Sequence, residues 1–142
     1  MSFSADRLWA ADTSIAVPAL DESHAAHGSS RRAALRRRPV LAGHATFETF
    51  SVLTRLPGDL RVAPALARSI IRTAFPSSCW LSAKQHEQLL GLLDQHVIVG
   101  GAAYDALVGY AAKSNGRVLI TRDARAERTY KLLGVEYDLI VG

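Results

Sequence analysis

The stretch "VLITRD", Val118 to Asp123, decides how the rest of the chain is read. Three aliphatic residues followed by a threonine have the composition of a buried strand. A carboxylate stands right at its exit. The same design recurs near the start, where "LWAAD" runs from Leu8 to Asp12. Open parallel sheets bind their ligands beyond the carboxyl ends of the strands, because loops diverge there and helix N-termini face the crevice. Two strands of one parallel sheet that both end in aspartate therefore deliver two acids to one rim. The competing role for each is simply to cap the helix that follows.

Outward from these two runs, short apolar stretches alternate with stretches of helical period. Strands are expected at Leu8 to Ala11, Val40 to Ala42, Cys79 to Leu81, Val118 to Ile120 and Glu136 to Ile140. Between them, "TFETFSVLTRL" sets Phe47, Phe50, Leu53 and Leu56 on one stripe, with Val52 beside it, the pattern of a helix docking an apolar face. It ends at the breaker pair Pro57-Gly58. "PALARSIIRTAF" starts with Pro64, suited to a first helical turn, and stops before Pro76. "SAKQHEQLLGLLDQ" has Ser82 as its cap, and "AAYDALVGYAAKSNG" stops at Asn115-Gly116. Such alternation predicts an α/β fold: a three-layer α/β/α sandwich around a central, mostly parallel sheet. With 142 residues, no repeat and no linker, a single domain over 1–142 is expected.

A hydrophobic fraction of 49% with 21% charged residues excludes a disordered chain. The net charge of +4 suits a polyanionic partner without requiring one. Cys79 is the only cysteine, which rules out an intrachain disulfide framework and a cysteine-based zinc cluster and suits a reducing compartment. The N-terminal "MSFSADRLWAADTS" lacks the apolar core of a secretion signal, and no run of about 18 apolar residues follows. A cytoplasmic, non-membrane protein is the expectation.

The acids sort by whether a local partner accounts for them. Glu127 has Lys131 at i+4, Glu87 has Lys84 at i−3, and Asp59 lies in a Pro-Gly-Asp turn. Asp21 and Glu22 read as loop or cap residues, and Asp6 and Asp138 lie toward the chain ends. Glu48 and Asp105 are different. On a helix, Glu48 neighbours His44, Ala45, Ser51 and Val52, and Asp105 neighbours Gly101, Ala102, Val108 and Gly109. Neither set contains a lysine or arginine, and an ionised acid on a small apolar surface is costly without a positive partner. A divalent cation supplies that charge. Four carboxylates on one rim make an all-oxygen site for a hard ion, Mg²⁺ or Mn²⁺.

These residues resemble the PIN-domain ribonucleases, and among them the VapC type of toxin from bacterial toxin–antitoxin pairs. The resemblance is carried by "ADTSIAVPAL", "FETFSVLTRLP" and "YDALVGYAAKSNGRVLITRD", in the family's order and spacing. The last is the most specific: an aspartate opening a small-residue helix is followed eighteen residues later by a strand-end Thr-x-Asp. The resemblance implies catalytic roles for Asp12, Glu48, Asp105 and Asp123, with Asp12, Asp105 and Asp123 on the metal and with hydroxyl support from Ser14 and Thr121. It also implies cleavage of single-stranded or loop RNA to leave a 5′-phosphate, a small antitoxin partner and a homodimer. Many relatives carry a further acid just after the position of Asp123, where this chain has Ala124, Arg125 and Ala126, so a second metal position is left without that ligand.

Two groups of basic residues stand out. "SSRRAALRRRP" holds Arg36 and Arg37 among five arginines, which either meet phosphates or end a solvated helix. Arg122 and Arg125 flank the acids and are expected to touch RNA or to offset the negative charge. The histidines lack zinc spacing and read as loop or surface residues, and His44, which precedes the Glu48 helix, is either one of these or a support for Glu48. Trp9 and Trp80 are expected in the core, and Tyr104 either stacks on a base or is partly buried. A receiver-type phosphoacceptor needs an acid pair after its first strand, and an Asp-x-Asp phosphatase needs a second aspartate where Ser14 stands; neither fits. The alternative from another class is a catalytically silent module whose acids grip a basic peptide.

Overall fold

The computed structural model describes residues 7–142, so Asp6 lies outside the described residues. Five strands form one sheet: β1 (Trp9–Ala11), β2 (Val40–Ala42), β3 (Ser78–Cys79), β4 (Val118–Thr121) and β5 (Tyr137–Leu139). Their order is β3-β2-β1-β4-β5, and all four pairings are parallel. Helices α1 (Thr13–Leu20), α2 (His27–Arg37), α3 (Ala45–Thr54), α4 (Pro64–Ala74), α5 (Ala83–His96), α6 (Ala102–Ser114) and α7 (Glu127–Leu132) make the crossovers.

The two-residue side-chain period of the strands divides the core. Ala10, Ala42 and Leu119 face a cluster with Leu89, Ala106, Ala111 and Tyr130, whereas Ala11, Leu41 and Ile120 face one with Ile15, Leu53, Ile71 and Phe75. The sheet is thus apolar on both faces and sandwiched by helices, as the alternation of the sequence predicts. Ser82 builds the expected cap, accepting from the Gln85 N–H while the Gln85 side chain accepts from the Ser82 N–H.

Several local readings change. Helix α3 buries Ala45, Thr49 and Leu53, while Phe47, the first member of the apolar stripe, is 62% exposed. Trp80 is not a core residue either: β3 ends one residue earlier, Cys79 takes the buried position, and the Trp80 ring lies outside the sheet, 48% exposed. Glu127 accepts a hydrogen bond from the Tyr137 hydroxyl at 2.8 Å. Asp138 pairs with Arg37 at 2.8 Å. Trp9 is buried as expected, beneath the Arg37 guanidinium at 4.6 Å from its ring centroid.

Candidate active site

Strand order reverses at β1, because the chain passes from β1 to β2 and β3 on one side and then crosses to β4 and β5 on the other. The crevice beyond the carboxyl ends of β1 and β4 is the switch point at which such sheets bind ligands. The register pairs Ala11 with Ile120, so one further step sets Asp12 beside Thr121. Helices α3 and α6 both start at this rim and carry Glu48 and Asp105 in their first turns. The partial positive charge at those N-termini favours acids there.

Asp12 is buried, and its carboxylate does not cap α1. Its two oxygens accept instead from Ser14 Oγ at 2.5 Å, Thr121 Oγ1 at 2.5 Å and the Tyr130 hydroxyl at 3.0 Å. Ser14 Oγ also lies 3.2 Å from Thr121 Oγ1 and accepts the Arg122 N–H at 2.7 Å, locking the start of α1 to the end of β4. Burial pushes the Asp12 carboxyl above its usual range, and the three hydroxyl donors, with a smaller contribution from the backbone at Ile15, oppose that shift. So deeply buried an acid has three hydroxyl donors aimed at it and, among the described residues, no bonded basic side chain.

Glu48 and Asp105 feel the same field. Asp105 is pushed up to about 6, chiefly by desolvation, then by the charges of Asp123, Asp12 and Glu48, with Arg125 opposing. Desolvation also raises Glu48, followed by the opposing charge of His44 and the like charge of Asp12; the Thr13 hydroxyl favours its ionised form. His44 Nε2 lies 3.7 Å from Glu48 Oε1. Thr13 Oγ1 is itself buried without a hydrogen-bond partner of normal geometry. The Asp123 carboxylate accepts the Arg125 N–H at 3.0 Å, so unlike Asp12 it does cap its following turn, and the Arg125 guanidinium lies 3.4 Å away.

Asp12, Glu48, Asp105 and Asp123 thus share one rim, where the first, second and last each raise the cost of charging Asp105. Among the described residues no three acidic, His or Cys side chains are drawn into a closed ligand cluster. Three of the carboxylates are held by their own neighbours: Asp12 by hydroxyls, Asp123 by Arg125 and Glu48 beside His44. The donor set, carboxylates and hydroxyls with no sulfur, fits a hard divalent cation.

The arginines are placed unequally. The Arg122 guanidinium donates to Ser29 Oγ at 2.8 Å and to the Gly142 carbonyl at 3.2 Å. Arg37 is occupied by Asp138 and the Trp9 ring. Arg36 is exposed on α2, and the Arg125 side chain is 93% exposed above Asp123.

Two contributors escape sequence reasoning, Tyr130 and Thr13. For Tyr130 one signal exists, Gly109, four residues after Asp105. A Cβ at Gly109 would meet Tyr130 Cδ1 at 2.7 Å, so the glycine opens the space through which the phenol reaches Asp12. Thr13, next to Asp12, carries no signal beyond adjacency.

A switch-point crevice ringed by four acids on a parallel α/β sheet defines a class of acid-centred hydrolases. The chain belongs to the PIN domain family, whose model matches residues 10–132. It is 47% identical over 126 residues to "Ribonuclease VapC27" of Mycobacterium tuberculosis, covering 89% of this chain and 92% of that one. It is 42% identical over 132 residues to "Ribonuclease VapC40" of the same organism, covering 92% and 98%. The fold is similar to that of Mycobacterium tuberculosis VapC20, described as a sarcin-ricin loop cleaving toxin, with a TM-score of 0.65 at 20% identity over 84% of this chain and 93% of that one. It is also similar to VapBC2 from Rickettsia felis, solved bound to a promoter DNA fragment, with a TM-score of 0.63 at 15% identity over 94% and 99%. Among the described residues no helix is long and apolar enough to cross a membrane.

Proposed function

We infer that the protein is an endoribonuclease that hydrolyses RNA phosphodiester bonds with a divalent cation, Mg²⁺ or Mn²⁺, and acts as the toxin of a toxin–antitoxin pair. The observation that carries this reading is the convergence of four mutually repelling carboxylates at the switch point of a chain closely related to named ribonucleases. Asp12, Asp105 and Asp123 would hold the cation. When bound, it supplies relief of the charge growing on the scissile phosphate and lowers the pKa of the attacking water.

This chain's own residues do the remaining work. Ser14, Thr121 and Tyr130 keep Asp12 fixed and favour its charged form. Glu48, steadied by His44 and Thr13, orients the attacking water and takes its proton on a carboxylate oxygen, with Asp105 alongside. Arg125, above Asp123, meets RNA phosphate or offsets the acids, and Arg36 adds sequence-blind attraction. The bonded guanidinium groups of Arg122 and Arg37 join α2 to the rest of the fold, and Arg37 does so over Trp9, at the end of β1 away from the crevice.

A small antitoxin that covers the crevice and a homodimer complete the proposal, supported by relatedness to VapC proteins and by the VapBC2 neighbour. The test is end-mapping of cellular RNA after induction of the protein, with Asp12→Asn as control. New 5′-phosphate ends in the wild type that vanish in the variant are expected. Identical RNA ends in both would remove the ribonuclease reading.

A further inference from the structure

Four rings stand beside the acids. His44 stacks on Tyr104 with centroids 5.2 Å apart and planes inclined by 21°. Phe47 meets Trp80 at 5.7 Å and 49°. Phe47, Trp80 and Tyr104 are 62%, 48% and 57% exposed. Clustered rings left in water on a soluble domain mark a binding surface.

Their positions tie the surface to the active-site crevice. His44 reaches Glu48, and Tyr104 immediately precedes Asp105. The backbone that carries Trp80 is fixed, since Asn115 Nδ2 donates to its carbonyl at 3.1 Å. Gly43, with φ of +44°, lets the backbone that enters α3 pass close to β3, since a Cβ there would sit 3.2 Å from the Cys79 carbonyl oxygen. His44, Phe47 and Trp80 line a pocket of about 120 Å³. That is far below the roughly 300 Å³ at which drug-sized sites begin, and it suits one planar ring at a time. On the other side of Phe47, a groove of about 290 Å³ continues to Arg68 and Arg72.

We propose that the Tyr104–His44 and Phe47–Trp80 pairs form a base-stacking surface for single-stranded RNA nucleotides next to the scissile bond, with Arg68 on the adjoining phosphates. The proposal rests on the ribonuclease reading above. Rings on one side and a guanidinium groove on the other match an anionic chain that carries flat bases. Stacking tolerates any base, so the surface holds and splays the strand, and a base that fits the 120 Å³ pocket contributes selectivity.

Trp80 provides its own probe, because the only other tryptophan, Trp9, is 5% exposed. The full-length chain, with EDTA present, is titrated with a short unstructured RNA and with an abasic ribose-phosphate chain of equal length, and its fluorescence is followed. Quenching by the RNA but not by the abasic chain is expected, and Trp80→Leu should abolish it. Tyr104→Leu should weaken RNA binding about fivefold or more, with Tyr104→Phe retaining it. Circular dichroism confirms that each variant is folded. Equal binding of the abasic chain, or wild-type RNA affinity in both leucine variants, would overturn the stacking surface. So would loss of a protein partner from those variants with RNA affinity intact. These outcomes differ from failure of the ribonuclease reading, in which the wild type with Mn²⁺ leaves RNA uncut whether or not RNA quenches Trp80.

Discussion

Asp12 carries the cost of the site. A buried carboxylate without a counter-charge is tolerated because three hydroxyls donate to it, and each such bond to a charged group contributes about 1.5–3 kcal/mol. Tyr130→Phe removes one donor and should lower the unfolding free energy by about that amount in urea denaturation. Asp105 shows the same strain through pH. Folding raises its carboxyl from 3.8 to about 6, so the folded protein binds the proton more tightly than the unfolded chain. The stabilisation from this group is therefore complete below 3.8 and is lost as pH rises through about 6. Without divalent cation, Asp105→Asn should melt higher than the wild type at neutral pH, and the difference should shrink toward pH 4. Adding Mn²⁺ should raise the wild-type melting temperature and leave the variant nearly unmoved.

At the scale of elements, α6 does two jobs with small residues. Its first turn presents Asp105, and Gly109 one turn later admits the Tyr130 ring from α7. Gly109→Ala puts a methyl group into that ring, and overpacking of this kind costs about 1–3 kcal/mol. Thermal melts should show the loss, and RNA cleavage should fall as well, because a displaced Tyr130 no longer holds Asp12. The helices with a clear apolar period, α3 to α6, are legible in the sequence nearly to the residue. Helix α1 is not, since "TSIAVPAL" is apolar nearly all round and holds Pro18, leaving no stripe to read. Helix α7 has six residues, too few for a period. The stripe of α3 misplaces Phe47 because periodicity shows which residues share a face and not how far that face extends under its neighbour. Trp80 misleads for a related reason: a two-residue edge strand leaves the ring just past its end.

Across the whole molecule, the chain carries a net charge of +4 and yet gathers four acids at one rim. Parallel pairing of β1 with β4 and the shared rim of α3 and α6 turn four distant positions into one site. The acids are legible because Asp12 and Asp123 end strands, while Glu48 and Asp105 have no lysine or arginine within reach on their own helices. Ser14 and Thr121 are legible through the family resemblance, whereas the Tyr130 phenol that also holds Asp12 depends on packing, which composition does not encode. The most direct measurement of the central claim is cleavage of a single-stranded RNA by the purified full-length protein, titrated with Mn²⁺ after chelation, in the wild type and in Asp12→Asn. Activity that rises from zero with Mn²⁺ in the wild type and stays at zero in the variant is the predicted result. Cleavage that persists in chelator, or survives Asp12→Asn, contradicts it.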